Sequence, residues 1–338
     1  MAVVEGQKVR GIVRGVSRGL SVGIIFSSLA AFGWVAAGAV KAADTLTEVR
    51  WAPFVGAVIL QFIMMLFLML LWERLLTILW GSQRRIDVKP IRPGIYTAYS
   101  RSWLARYIPG RVWALGGRVL LASKVGVPAE AVARSMAFEV LFSYSIVAII
   151  GMALLLVARA HSLAGLAAFI LGLLAFTISV PAAQRLLASD RKASSQKSLW
   201  SKARQRAQRF LIGPTPFSLK NSLWAVSIYG IYSSLQLVFI ALIAESFVDL
   251  TLTQTFIIAG AWGLSVTLGW LSFLPVGLGV RDVLASVLFA QVLDAPTASL
   301  IVAASRIVMI AIDLAFVGAV ELLALGLTSR QTQPQTSA

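Results

Sequence analysis

The sequence predicts an all-α polytopic membrane protein, organised as an inverted repeat with two re-entrant broken helices. Three observations lead there. Of 338 residues, 58% are hydrophobic and only 13% charged, about half the charged share of a soluble domain. Apolar runs long enough to cross a bilayer recur along the chain. Two charged, Pro/Gly-punctuated stretches interrupt them half a chain apart and resemble each other.

The first apolar run is Leu20 to Val40, after a basic tail with Lys8, Arg10, Arg14 and Arg18. Its apolar core exceeds the usual signal-peptide length, so a retained helix is expected. Further spans are expected at Pro53 to Trp80, Ala129 to Ala158, Leu163 to Val180, Leu219 to Ala244 and Pro296 to Leu327. Pro93 to Val127 and Thr253 to Leu293 do not read as simple spans. Each is expected to be two half-helices joined at a Pro/Gly break. The domain plan is a basic tail over 1–19, a single integral membrane domain over 20–327 with repeat halves at about 53–158 and 219–327, and a polar tail over 328–338.

Loop charge sets the expected orientation. The N-terminal tail, the loop with Arg84, Arg85, Lys89 and Arg92, and the long loop from Arg185 to Arg209 are dense in Lys and Arg. By the positive-inside rule these face the cytoplasm, as do both termini. The stretch ESFVDLT carries no Lys or Arg and faces out. The net charge of +16 fits anionic inner-leaflet lipids, so no nucleic-acid partner is expected. There is no cysteine and a single histidine, His161, so thiolate chemistry is excluded and no metal or cofactor is expected. No P-loop, HExxH or GxSxG motif is present, and no nucleophile–base pair is visible. The chain is therefore not expected to be an enzyme.

The repeat is carried by YIPGRVWALGGRVLLASKVGVPAEAVARSMAFEVLFS and FLPVGLGVRDVLASVLFAQVLDAPTASLIVAASRIVMI. Pro109 matches Pro275, Pro128 falls within a residue or two of Pro296, and Glu139 lies opposite Arg306. An odd number of crossings separates the two, which gives opposite orientations, the plan of secondary transporters.

RYIPGRVWALGGR holds three arginines and two aromatics in thirteen residues. From Arg101 to Lys124 there are five cations: Arg101, Arg106, Arg111, Arg118 and Lys124. At about 2.5–3.5 kcal/mol each, five charges at the bilayer centre cost over 10 kcal/mol. A lipid-facing span is excluded, so the segment lines a polar cavity, pairs with anions or lies at headgroup depth. Tyr107 and Trp113 suit that depth, and Gly110, Gly116 and Gly117 permit bends and close approach. A half-helix start near Pro109-Gly110 offers free N–H groups. Arginine binds phosphate in bidentate fashion. The expected site is an anion site for a lipid phosphate, with Arg111 and Arg118 receiving it. A plain interfacial anchor is the competing reading. Arg281, beside Gly277, Gly279 and Asp282, is expected as a second phosphate station on the outer side, or as half of a local Arg281–Asp282 pair. Arg306 is expected to pair with Glu139, Asp313 or both, since ionisable groups within spans face the interior and pair. Glu73-Arg74 is expected as an interfacial pair.

RYIPGRVWALGGR, the downstream SMAFEVLFS and FLPVGLGVRD resemble the lysylphosphatidylglycerol synthetase transmembrane family, the flippase-like domain family, over about Leu20 to Leu327. The resemblance implies a translocator of a phospholipid or lipid-linked headgroup in a bacterial-type inner membrane. It assigns substrate contact to Tyr107, Pro109, Gly110, Arg111, Trp113, Glu139, Pro275, Gly277, Gly279 and Arg281. The soluble aminoacyl-transferring domain of the bifunctional members is missing, so synthase activity is not implied. Two other readings stay open: a scaffold that docks a glycosyltransferase or lipid-synthesis partner, and an intramembrane lipid-modifying enzyme.

Overall fold

The computed structural model describes residues 49–80, 91–107, 112–159, 162–189, 217–272, 277 and 279–331, together with Ala37. These residues form helices and no strands. The elements are α1 (Trp51–Trp80), α2 (Arg92–Leu104) with a 3-10 turn at Ala105–Tyr107, α3 (Val112–Lys124), α4 (Ala129–Ala158), α5 (Ser162–Ser189), α6 (Leu219–Glu245), α7 (Leu252–Leu271), α8 (Val280–Phe289) and α9 (Ala295–Gln331). The expected first span at Leu20 to Val40 lies outside the described residues, as do the basic loop after α1 and most of the one after α5.

Six of these helices are long and apolar enough to cross a membrane: α1, α4, α5 up to Leu186, α6, α7 and α9 up to Ala324. The chain is a multi-pass helical membrane protein by that measure. Five of the six match expected spans. α7 does not: it was expected as one half of a segment broken at FLPVGLGVRD, and the helix does end before that stretch, but its 20 residues are long and apolar enough to cross alone. No proline falls within it, and its glycines serve packing. α5 also continues past its expected end at Val180, through Pro181. A lone proline near a helix end is tolerated in an apolar span. α9 extends to Gln331, so the start of the expected polar tail is helical.

α2 and α3 have 13 residues each and α8 has 10. At 1.5 Å per residue they span roughly 20 and 15 Å, short of a hydrocarbon core of about 30 Å. They form hairpins with their neighbours. The start of α2 returns to the end of α3, where a Cβ on Gly94 would fall 2.4 Å from Val125. The end of α1 is at the same level, since Arg92 donates to Glu73 at 2.6 Å. This corrects the expected Glu73–Arg74 pair. Glu73 is buried and also accepts from Tyr96, while Arg74 is exposed.

The second hairpin joins α7 to α8 at the opposite end. Gln254 at the start of α7 donates to the Val292 carbonyl just past α8 (3.1 Å). At that end too, the Arg50 N–H before α1 donates to Ser246 after α6 (2.9 Å), and Arg50 pairs with Asp249. Arg106 of the first hairpin and Gly277 and Arg281 of the second line one cavity inside the bundle. α7 lies against α4 with no side chains between: a Cβ on Gly260 would fall 2.6 Å from the Gly151 carbonyl oxygen. Such small-residue contact is how apolar helices approach when no water drives them together. On the far side, α5 exposes Leu163 (82%) and a row of large aliphatics that suits lipid contact.

Candidate functional site

A cavity of about 240 Å³ opens among α1, α2, α3, α4, α6, α7, α8 and α9. That volume holds roughly eight waters at about 30 Å³ each. Its wall is mostly apolar, with Met64, Met65, Leu68, Phe239 and Val266. Arg106, Arg118, Arg281 and Glu139 also line it. Leu115 of α3, 48% exposed, forms part of the wall and reaches the surface.

The arginines are fixed in different ways. Arg106, in the 3-10 turn, pairs with the fully buried Asp313 of α9. The same carboxylate accepts from the Trp103 indole N–H at 3.0 Å and from the Tyr107 hydroxyl. Three donors thus tie the first hairpin's turn to α9. Arg118 donates to Glu139 of α4 at 2.7 Å and to Ser102 at 3.1 Å. Its guanidinium carbon sits 4.3 Å above the Tyr99 ring. Arg306 donates through Nε and Nη2 to the two oxygens of Asp282, both at 2.8 Å.

Arg281 is different. It is 5% exposed and lines the cavity, yet its Nε and Nη2 have no hydrogen-bond partner. Nε lies 3.5 Å from Asp282, whose oxygens are already engaged by Arg306. Its remaining contacts are Met309 sulfur at 3.9 Å and the Trp262 ring at 4.9 Å. A buried guanidinium with two idle donors is costly, and a bound anion is the usual remedy.

The backbone explains how Arg281 is held. Gly277 and Gly279 have φ of +66° and +83°, angles that glycine adopts without strain. They turn the chain from α7 into α8, and the Gly279 N–H donates to Asp282 Oδ2 at 3.2 Å. A Cβ on Gly269 of α7 would fall 2.7 Å from Arg281 Cβ, so α8 presses directly on α7 there.

Of the expected site residues, Arg118, Glu139, Gly277 and Arg281 line one cavity. Tyr107, Gly279, Arg306 and Asp313 support it from behind. Pro109, Gly110, Arg111 and Pro275 lie outside the described residues, as does the Trp113 side chain. One expectation is corrected. Arg306 pairs with Asp282 rather than with Glu139 or Asp313, because those two are taken by Arg118 and Arg106. Arg281 lines the same cavity as Arg118, and the alternative Arg281–Asp282 pair is present at 3.5 Å. Sequence reasoning passed over Asp282 as a shared acid and Arg106 as a site residue. Both are charges in segments between apolar helices, the same signal that singled out Arg118 and Arg281.

Among the described residues no group of His, Asp and Glu could hold a metal ion. Chemically, the cavity offers one idle guanidinium, one paired carboxylate and a broad apolar wall. That set suits an anion attached to apolar chains. No protein-family model, curated protein or solved structure matches the chain.

Proposed function

We propose that the protein binds the anionic headgroup of a phospholipid or lipid-linked molecule between its hairpin turns and carries it from one leaflet to the other. The observation that carries this is the buried Arg281 guanidinium: the residue lines a largely apolar cavity, and its Nε and Nη2 have no hydrogen-bond partner. Phosphate oxygens would satisfy those donors with charge-assisted bonds. The volume admits a headgroup but no acyl chain, so the chains would stay outside, past Leu115. The resemblance to the flippase-like domain family supports the same reading.

In this account the two hairpins are re-entrant, one from each membrane face, and the halves form an inverted repeat. The opposite placement of the hairpin bases supports that arrangement. The membrane is a bacterial-type inner membrane, with both termini in the cytoplasm. Compared with the sequence expectation, Arg118 becomes a fixed wall of the site, and Arg281 becomes the group that meets the phosphate.

The test is translocation in reconstituted vesicles. Fluorescent headgroup-labelled phosphatidylglycerol in the inner leaflet should become accessible to a membrane-impermeant quencher with wild type, and at least tenfold more slowly with Arg281→Gln. Equal rates for the variant and wild type would remove Arg281 from the path. Rates equal to protein-free vesicles for both would favour the scaffold reading.

A further inference from the structure

Among the described residues, charge around the cavity is nearly balanced. The charged and titratable groups that face it, or hold those that do, are Arg106 in the hairpin turn, Arg118 on α3, Glu139 and Tyr144 on α4, Tyr232 on α6, Arg281 and Asp282 on α8, and Arg306 and Asp313 on α9. α1 and α7 contribute only neutral groups to the wall, such as Gln61 and Trp262. Arg106 pairs with Asp313, Arg118 with Glu139 and Arg306 with Asp282, while Arg281 shares Asp282 at 3.5 Å. These four cations meet three carboxylates, which leaves one positive charge in excess, on the loosely held Arg281.

We infer that the cavity is matched to a single negative charge: it accepts the monoanionic phosphodiester of an amphiphile and discriminates against the dianionic phosphomonoester. This rests on the proposed headgroup site and deepens it. The physical reason is the low dielectric of the bundle. A monoanion on Arg281 neutralises the one positive charge in excess among the described residues. A dianion brings one more charge than the site can match, and a buried unmatched charge is strongly disfavoured. To meet a dianion, a second guanidinium would have to leave its carboxylate, and that carboxylate would then be stranded. Asp313 could not release Arg106 cheaply, because the same contact ties the hairpin turn to α9.

The test uses the wild-type protein in neutral detergent. Binding of dioctanoyl phosphatidylglycerol, a phosphodiester, is compared with dioctanoyl phosphatidic acid, a monoester, from pH 5 to pH 8.5. The diester stays monoanionic throughout. The monoester gains its second charge within the window, since second ionisations of phosphomonoesters lie near pH 6. The expected result is a diester affinity that is flat with pH. Monoester affinity should fall roughly tenfold or more as pH rises. The flat diester curve also checks that the protein's own groups do not titrate into the result.

Monoester binding at pH 8.5 as tight as the diester, and dependent on Arg281, would overturn the charge match while leaving the anion site standing. Binding of both lipids that is indifferent to Arg281→Gln would overturn the anion site itself, and the proposed function with it. A third probe, glycerophosphoglycerol, has the diester without chains. If it binds as tightly as the lipid, the charge match holds, but the ligand is a free phosphodiester and not a lipid.

Discussion

At the residue scale, Arg118 and Arg281 make opposite contributions to stability. Removing Arg118 strands Glu139 in the interior, and breaking a buried pair in this way costs about 3–5 kcal/mol. Removing Arg281 strands nothing. It sacrifices the contact with Trp262, worth about 0.5–2 kcal/mol, and a long 3.5 Å contact with Asp282 that Arg306 already satisfies, but relieves a buried cation with two unsatisfied donors, whose cost is several kcal/mol. Arg118→Met should therefore unfold well below wild type in a detergent melt, while Arg281→Met should melt at or above it. Arg281→Met melting as low as Arg118→Met would mean that Arg281 is structural. Stability given up at one residue is a common mark of function. The sequence exposed these charges because a charge in an apolar helix is expensive wherever it sits. It did not reveal the partners. Arg306 and Asp282 are 24 residues apart, and only the return of α8 toward α9 brings them together.

At the element scale, the α4–α7 contact sets where the second hairpin lies. Gly260 is in backbone contact with Gly151, so Gly260→Ala must push the helices apart, at about 1–3 kcal/mol. Gly230 on α6 has nothing within 4 Å of its would-be Cβ, so Gly230→Ala should be neutral or slightly stabilising, by up to about 1 kcal/mol. Thermal unfolding of both variants checks the contrast; equal losses would argue against direct contact of the two helices. Helix ends were largely legible from hydropathy, as at Ala129–Ala158. The break expected at FLPVGLGVRD falls between α7 and α8, as the Pro/Gly chemistry of that stretch suggests; what hydropathy missed is that α7 alone is long enough to cross.

At the scale of the whole molecule, the proposed topology places the α3–α4 turn and the α6–α7 turn on opposite membrane faces. The chain has no cysteine, so single introduced thiols report cleanly. Lys124→Cys should react with an impermeant maleimide only from the cytoplasmic side, and Asp249→Cys only from outside. Labelling of both from one face would mean that one of the three helices between them, α4, α5 or α6, does not cross; each labelled from the reverse face would mean that the α2–α3 segment crosses the membrane. The sequence aligned Pro128 with Pro296, and the structure sets these at the starts of the long helices α4 and α9. The shared cavity was not legible, because its lining comes from segments far apart in the chain, such as those of Arg118 and Arg281.

The central claim is that Arg281 waits for an anionic headgroup. The most direct measurement is mass spectrometry of the lipids that co-purify with wild type and with Arg281→Gln from the same membranes. The account predicts one phosphate-bearing lipid enriched over bulk with wild type and returned to the bulk level in the variant. Bulk lipid composition on both proteins would contradict it.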